Sequence, residues 1–216
     1  ASHDTVHVVW RDNRHGNREI FYKRSVDGGI TWSGDVRLTN NTAVSEDVAI
    51  AVSGPFVHIV WSDLRDGNEE IYYKRSEDGG VTWGNDTRLT FQSQESAGPS
   101  IAVSGNKVCI VWHDTRDSNY EIYFKSSSDA GITWGADLRL TTTANVSEFP
   151  CISVSGLGVH VAWEEETSGD WTYEVHYIGS SDGGISWGVD TRLTWDDDES
   201  LNPCIAAHGN SIHVAW

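Results

Sequence analysis

A repeat of about 51 residues, short runs of β-branched and aromatic side chains, and a turn motif present in four copies predict an all-β fold, a β-propeller of four-stranded antiparallel blades. No segment shows a sustained helical period. The runs VHVVW, VHIVW, VCIVW, VHVAW and IHVAW are spaced by 51, 51, 51 and 53 residues. They end at Trp10, Trp61, Trp112, Trp163 and Trp216. We therefore expect four repeats and an incomplete fifth unit.

Each repeat is predicted to contain four strands, A to D. Examples are PSIAV (99–103) for strand A, VHIVW (57–61) for B, EIYYKRS (70–76) for C and DTRLT (86–90) for D. Small residues recur at one position of strand A, as expected where blades crowd near a propeller axis. They are Ala51, Ala102, Ser153 and Ala206.

The repeat predicts one propeller domain over residues 1–216. The expected blade units are about 1–40, 41–91, 92–142 and 143–195, with a partial unit at 196–216. Strand B occurs five times and the other strands four times. Pairing 203–207 with the blade begun by 5–39 would leave 211–216 without a place. Because an open edge strand promotes aggregation, we expect a fragment of a larger ring, or self-assembly by strand exchange, rather than an open monomer.

The charge of the chain limits its partners. It carries 32 acidic and 15 basic side chains, a formal net charge of −17. Nucleic acids and anionic membranes attract the opposite sign, so neither is an expected partner. No apolar run reaches the roughly 18 residues that a membrane span needs. The chain starts at Ala1 without a leader and contains no Met, which predicts a mature piece of a secreted or surface protein.

The turn motif, Ser-x-Asp-Gly-Gly-x-Thr-Trp in its commonest form, lies between strands C and D of every repeat. Its Asp can accept hydrogen bonds from the turn backbone, and its Trp can pack beneath the turn. Ala130 replaces the first Gly in one copy, so we expect positive φ to be required only at the second Gly. The residues predicted to form this structural turn are Asp27, Gly29, Trp32, Asp78, Gly80, Trp83, Asp129, Gly131, Trp134, Asp182, Gly184 and Trp187.

This motif, at the third turn of repeated blades, resembles the Asp-box, or BNR repeat, of sialidase-like β-propellers. The resemblance covers nearly the whole chain, with four copies in register. It implies that the motif is scaffold and lies on the face opposite the active site. The loops between strands B and C and between strands D and A are then the expected binding face.

Two of the eleven tryptophans fall outside the repeat and suggest a ligand site. Trp171 lies in the fourth B–C loop, which is two residues longer than its counterparts, and Trp195 lies in the next D–A loop. Aromatic rings stack on sugars, and carboxylates accept hydrogen bonds from hydroxyl groups. The alternative is a solvated acidic loop. The candidate ligand-binding residues of this cluster are Trp171, Tyr173, Glu165, Trp195, Asp196 and Asp197.

Asp196–Asp198 supply the oxygen ligands that Ca²⁺ prefers, yet their spacing matches no EF-hand loop. We therefore expect no cofactor and no metal centre, with a Ca²⁺ ion bound by Asp196–Asp198 as the alternative hypothesis.

Three B–C loops share the motif Asp-x-Arg, at Arg14, Arg65 and Arg116. One interpretation is an Asp–Arg pair that shapes each loop. The other is that the three arginines converge on one ligand carboxylate, as the arginine triad of sialidases does.

The resemblance also implies an enzyme alternative. Sialidases use an arginine triad, a Tyr–Glu nucleophilic pair, an Asp acid/base and an Arg-Ile-Pro motif near their start. This chain has no Arg-Ile-Pro, and only Arg11 and Arg18 lie outside the repeat. We therefore expect no catalytic residues and a recognition or scaffold propeller that binds carbohydrate. The alternatives are a sialidase-like glycoside hydrolase, or a fragment of one, and a propeller that binds a protein.

Overall fold

The computed structural model describes residues 4–167, 172–195 and 198–216. These residues form seventeen β-strands and no helix. None of the described segments could cross a membrane as a helix. The strands are β1 (Val6–Asp12), β2 (Glu19–Ser25), β3 (Val36–Arg37), β4 (Ser45–Ser53), β5 (Phe56–Asp63), β6 (Glu70–Ser76), β7 (Thr87–Arg88), β8 (Ser96–Ser104), β9 (Lys107–Asp114), β10 (Glu121–Ser127), β11 (Leu138–Arg139), β12 (Ser147–Ser155), β13 (Gly158–Thr167), β14 (Thr172–Ser180), β15 (Thr191–Arg192), β16 (Cys204–His208) and β17 (Ser211–Ala215).

The strands form antiparallel sheets whose spatial order follows the chain. Three sheets have four strands, β4 to β7, β8 to β11 and β12 to β15, in the predicted order A to D. The first sheet, β1 to β3, has three strands, and β16 and β17 pair in a two-stranded sheet. Strand D is short, with two residues in each copy. The predicted all-β fold of four-stranded antiparallel blades with an incomplete last unit is confirmed.

The chain divides into two compact units, Ala1–Ala97 and Gly98–Trp216. The first contains the sheets of β1–β3 and β4–β7, and the second contains those of β9–β11, β12–β15 and β16–β17. The single domain and the blade boundaries expected from the repeat stay predictions.

Strand B is the most deeply buried strand of each complete sheet, because it has a hydrogen-bonded neighbour on both edges and side chains packed on both faces. In β5, Val57, Ile59 and Trp61 are all inaccessible to solvent. They pack with Ile20 and Tyr22 of the preceding sheet in the core of the first unit. Strands that are buried on both faces read as continuous apolar runs, which explains the VHIVW pattern.

Strand A begins with an irregularity in its pairing with strand B. Its pairing with strand B shifts between Glu46 and Ala49 in β4 and between Glu148 and Cys151 in β12. One residue per repeat takes a positive φ there, at 50°, 59°, 49° and 54°. These residues, the left-handed positions of strand A, are Asp47, Gly98, Phe149 and Asn202.

The recurrent turn is held by its Asp, as the sequence suggested. In the second copy, Asp78 Oδ1 accepts hydrogen bonds from the N–H groups of Val81 and Thr82 at 3.0 and 2.9 Å. The Thr82 hydroxyl donates to Oδ2 at 2.6 Å, and these donors hold the pKa of Asp78 well below its usual range. Asp27, Asp129 and Asp182 accept the corresponding hydrogen bonds.

The prediction that only the second Gly needs a positive φ was wrong. The first position is also left-handed, with φ of 71° at Gly28, 68° at Gly79 and 57° at Ala130. Ala tolerates this region at a cost of about 1–2 kcal/mol. In the fourth copy, packing also requires the second Gly: a Cβ at Gly184 would lie 2.6 Å from Phe124 Cζ of the preceding sheet.

Candidate functional site

Each repeat joins the next through one main-chain hydrogen bond that identifies equivalent positions. The carbonyl groups of Arg18, Glu69 and Tyr120 accept from the N–H groups of Ser45, Ser96 and Ser147, each at 2.9 Å, and that of Tyr173 accepts from Ser200 at 2.8 Å. The serines recur, but the acceptors carry arginine, glutamate or tyrosine side chains. Packing of the repeat therefore does not dictate the side chain at this position.

Three further positions at the same end of each blade diverge in the same way. One follows the Trp of strand B, one precedes the left-handed position of strand A, and one is the left-handed position itself. We call these positions, with the four acceptors above, the divergent set. Its members are Arg11, Arg18, Glu46, Asp47, Ser62, Glu69, Ala97, Gly98, His113, Tyr120, Glu148, Phe149, Glu164, Tyr173, Leu201 and Asn202.

In the second unit, three members of the divergent set and the nearby Glu166 form a cluster of one tyrosine and three carboxyl groups. We call it the Tyr173 group, and it consists of Glu148, Glu164, Glu166 and Tyr173. Glu148 pairs with Glu164 across β12 and β13, and Glu166 pairs with Tyr173 across β13 and β14. The Tyr173 hydroxyl donates a hydrogen bond to the Glu148 carboxylate. Alternation along β13 places Glu164 and Glu166 on one face of the sheet.

Desolvation dominates the electrostatics of this group. Burial raises the pKa of Tyr173 to about 12, so its hydroxyl stays protonated and remains a donor at neutral pH. Burial also raises the pKa of Glu148 and that of Glu164. Glu164 Oε1 accepts a hydrogen bond from the Asn202 N–H at 2.5 Å, which fixes its orientation.

The candidate residue Glu165 lies on the opposite face of β13 from the Tyr173 group. Its Oε2 accepts from Trp163 Nε1 at 2.9 Å and from the Ser147 hydroxyl at 2.5 Å, and its Oε1 accepts from Thr143 at 2.6 Å. Asp63 binds the matching Trp and Ser in the second repeat. The structure therefore brings Tyr173 together with Glu148 and Glu164, and it does not bring Glu165 to them.

Trp195 presents an exposed aromatic ring. It is 70% exposed, and the Arg192 guanidinium lies 5.9 Å from the ring centre. Phe91 follows Arg88 at the same spacing, is 68% exposed and lies 4.9 Å from that guanidinium. Sequence reasoning overlooked Phe91, although the matched segments RLTF and RLTW could have revealed it.

The candidates Trp171, Asp196 and Asp197 lie outside the described residues. Among the residues that are described, no group of three or more His, Cys, Asp or Glu side chains could hold a metal ion. The Ca²⁺ hypothesis for Asp196–Asp198 therefore gains no support from the described part of the chain.

The three candidate arginines of the Asp-x-Arg loops are engaged within their own blades. Arg65 donates through Nε and Nη2 to Asp63 at 2.8 and 2.6 Å and through Nη1 to Asp86 at 2.7 Å. Its guanidinium also lies 4.3 Å from the centre of the Tyr72 ring. Arg14 and Arg116 make the corresponding contacts. A ligand carboxylate would have to compete with two protein carboxylates, which favours the loop-shaping interpretation.

In the first unit, the two arginines outside the repeat meet at one carboxylate. Arg11 and Arg18 each place Nη1 on Glu46 Oε2, at 2.9 and 2.5 Å. Nearby, the side chains of Glu69 and Glu95 share a hydrogen bond, and burial together with neighbouring carboxylates raises the pKa of Glu69 to about 7. The one signal for this cluster in the sequence was that Arg11 and Arg18 lie outside the repeat.

No family model matches the sequence, and no curated protein matches it. The Asp-box assignment thus rests on the motif alone.

Solved structures do match. An α-L-arabinofuranosidase of Fusarium graminearum, bound to an iminosugar inhibitor, has a TM-score of 0.72 at 16% identity over 99% of this chain and 72% of that chain. A sialidase of Trypanosoma rangeli has a TM-score of 0.67 at 15% identity over 94% of this chain and 39% of that one. The endosialidase of phage phi92 has a TM-score of 0.68 at 13% identity over 98% of this chain and 48% of that one.

These similarities support a β-propeller-type fold for the chain. The chain spans about three quarters of the arabinofuranosidase and well under half of the sialidase.

Proposed function

We propose that this chain acts on glycans as a glycoside hydrolase, or as part of one, with the Tyr173 group as its reaction centre. The observation that carries the proposal is the hydrogen-bonded Tyr173–Glu148 pair beside Glu164, at positions where the repeats diverge. Glycosidases need two carboxyl groups of different protonation state flanking one bond.

The absence of an arginine triad argued against an enzyme, but this objection applies only to enzymes that act on acidic sugars. A neutral pentose or hexose has no carboxylate for such a triad to bind. The arabinofuranosidase among the structural neighbours bears the name of an enzyme for a neutral sugar. The objection based on Arg14, Arg65 and Arg116 therefore does not extend to neutral glycosides.

We assign Glu148 as the carboxylate that attacks the anomeric carbon, held in place by the Tyr173 hydroxyl. Burial raises the pKa of both carboxyl groups, but the hydrogen bond from Tyr173 opposes this effect at Glu148. Glu164 is therefore assigned as the proton donor to the leaving oxygen. In the second step a water molecule transfers a proton to the Glu164 carboxylate while its oxygen attacks the anomeric carbon. This breaks the bond to Glu148 and releases the sugar. Cross-strand partners have Cβ atoms about 5 Å apart, which is compatible with the carboxyl separation of about 5–5.5 Å in retaining enzymes.

A panel of chromogenic aryl glycosides, including α-L-arabinofuranosides and sialosides, tests this assignment. We expect Glu148→Gln and Glu164→Gln to lower kcat by about a thousandfold or more on the glycoside that the wild type cleaves. Glu77→Gln is the matched control, because Glu77 is an exposed carboxylate at the recurrent turn. The proposal fails if the wild type cleaves no member of the panel, or if both variants keep wild-type rates.

A second candidate function is glycan recognition without catalysis, favoured by the exposed ring of Trp195. An exposed aromatic face can stack on the apolar face of a sugar. In that case Trp171→Ala and Trp195→Ala abolish glycan binding while Glu148→Gln leaves it intact. Unchanged binding by both Trp variants would exclude this site. A secreted or surface location, the expected setting for either function, stays a prediction, as do a protein partner and self-assembly.

A further inference from the structure

Phe149 occupies a backbone conformation that its residue type disfavours. Three of the four left-handed positions of strand A hold Asp47, Gly98 and Asn202, residue types that tolerate positive φ. The fourth holds Phe149 at φ 49°. A bulky residue kept in this region at a site of divergence points to a function for its side chain.

The Phe149 ring is exposed on one side and supported on the other. It is 52% exposed, although it is a large aromatic group. It forms an edge-to-face pair with the His113 ring, with centroids 5.5 Å apart and planes at 81°. His113 in turn meets Tyr120 at 4.9 Å and 77°. Edge-to-face pairs of this kind fix the orientation of a ring.

The support is specific to this copy of the repeat. The Phe149 N–H donates to His113 Nδ1 at 3.3 Å, so one side chain holds both the backbone and the ring of Phe149. Burial lowers the pKa of His113 to about 4, which keeps the imidazole neutral and Nδ1 free to accept. A Cβ at Gly98 would lie 2.6 Å from His113 Cε1, so glycine at that position makes room for the imidazole.

Phe149 lies next to a residue of the proposed reaction centre in the chain. Phe149 directly follows Glu148 in β12, and Glu148 binds Tyr173. The Cα atoms of consecutive residues lie about 3.8 Å apart, so a glycan of more than one sugar ring at the Tyr173 group is long enough to reach Phe149.

We propose that Phe149, held by His113 and Tyr120, is a sugar-binding platform that stacks on the apolar C–H face of a glycan ring next to the reaction centre. This inference rests on the proposed function, since it assumes a glycan at the Tyr173 group. Sugar rings pair an apolar face with a hydroxyl rim, so an aromatic platform beside carboxylates matches both parts of such a ligand.

The test compares Phe149→Asn and Phe149→Trp by thermal unfolding and by isothermal titration with arabinobiose and sialyllactose. Asn is the residue found at the equivalent position 202 and accepts a left-handed backbone. We expect Phe149→Asn to raise Tm by a few degrees and to weaken oligosaccharide binding about tenfold or more. Phe149→Trp keeps binding within about threefold, because the aromatic face remains.

Ile132→Asn, at an exposed apolar residue of the recurrent turn in the same unit, is the matched control and leaves binding unchanged. Binding that is equal in wild type and Phe149→Asn overturns the inference, as does a fall in Tm that accompanies the loss of binding. The inference is also overturned if the wild type binds neither arabinobiose nor sialyllactose. Titration measures binding without turnover, so it tests the platform independently of catalysis. Hydrolysis by Glu148→Gln at the wild-type rate would refute the proposed catalysis and leave the binding result unaffected.

Discussion

Gly80 and Tyr22 are packed so closely that the glycine cannot acquire a side chain: a Cβ at Gly80 would overlap the Tyr22 hydroxyl of the preceding sheet. The same ring makes an edge contact with Trp83, with centroids 4.9 Å apart. The turn motif therefore also joins successive blades, since its glycine and its tryptophan both receive an aromatic ring from the blade before.

This relationship predicts different costs for the two glycines of one turn. Gly80→Ala should destabilise the protein by about 3 kcal/mol or more, because it combines steric overlap with a disfavoured φ. Gly79→Ala should cost only about 1 kcal/mol, since its Cβ meets nothing closer than 3.7 Å and Ala130 already occupies the equivalent position. Urea unfolding measures both values. Equal costs would mean that the Tyr22 contact is unimportant.

Each complete repeat buries one carboxylate against the arginine of strand D. We expect removal of that arginine to lower the stability of the protein strongly. Arg88 Nη2 donates to Oε1 of Glu70 at 2.7 Å, and Glu70 is inaccessible to solvent. Arg88→Ala should cost about 3–5 kcal/mol, because it leaves a buried charge without its partner.

Arg75→Ala removes an arginine that pairs with the exposed Glu77, and it should cost less than about 1 kcal/mol. Thermal unfolding of the Arg88 and Arg75 variants provides the comparison. Similar losses for the two would contradict the assigned role of Glu70.

Acidification should destabilise the first unit through His58. Burial lowers the pKa of His58 from 6.5 to about 4, and its Nδ1 lies 2.6 Å from the Tyr73 hydroxyl. The unfolded chain takes up a proton near pH 6.5 and the folded chain only near pH 4. Stability is therefore present above pH 6.5 and is lost progressively as the pH falls towards 4, by a few kcal/mol, on the order of the shift.

The third repeat supplies the control for this effect, with Cys109 and Phe124 in place of the histidine and the tyrosine. The double variant His58→Cys, Tyr73→Phe should reduce the loss of stability between pH 6.5 and 4, as measured by urea unfolding at several pH values. The buried His113 keeps its own share of that loss. An unchanged profile would assign the acid sensitivity to other groups.

Glu69 should have the opposite pH dependence. Its folded pKa is raised to about 7 by burial and by Glu95, Asp47 and Glu46, so the folded state holds a proton that the unfolded state has released. Stability from this group is full below about pH 4.5 and is lost as the pH rises towards 7. Glu69→Gln should therefore raise stability at pH 7.5 and have little effect at pH 4.5. Thermal melts at these two pH values test the sign, and a lower Tm at pH 7.5 would refute it.

The sequence predicted the repeated part of the molecule well, because each repeat presents the same packing problem. The strand order, the turn at Asp78 and the buried Trp61 all follow from residues that recur in register. Four copies of a pattern average out the ambiguity that a single short strand would leave.

The site was less predictable, because it depends on register and on a bulge. Glu164 and Glu165 are neighbours in the chain, yet strand alternation sends one to the Tyr173 group and the other to Trp163. The pairing of Glu148 with Glu164 depends on the irregularity at Phe149, which neither composition nor spacing signals. Sequence reasoning therefore selected Tyr173 and Glu165 and overlooked Glu148.

The hydrogen bond that joins successive repeats has main-chain atoms at both ends, from the N–H of Ser147 to the carbonyl of Tyr120, for example. A substitution at the acceptor changes the surface chemistry without removing this connection. A duplicated blade can therefore acquire new specificity at that residue while its attachment is inherited unchanged. We expect libraries randomised at Arg18, Glu69, Tyr120 and Tyr173 to retain folded protein far more often than libraries at the neighbouring serines.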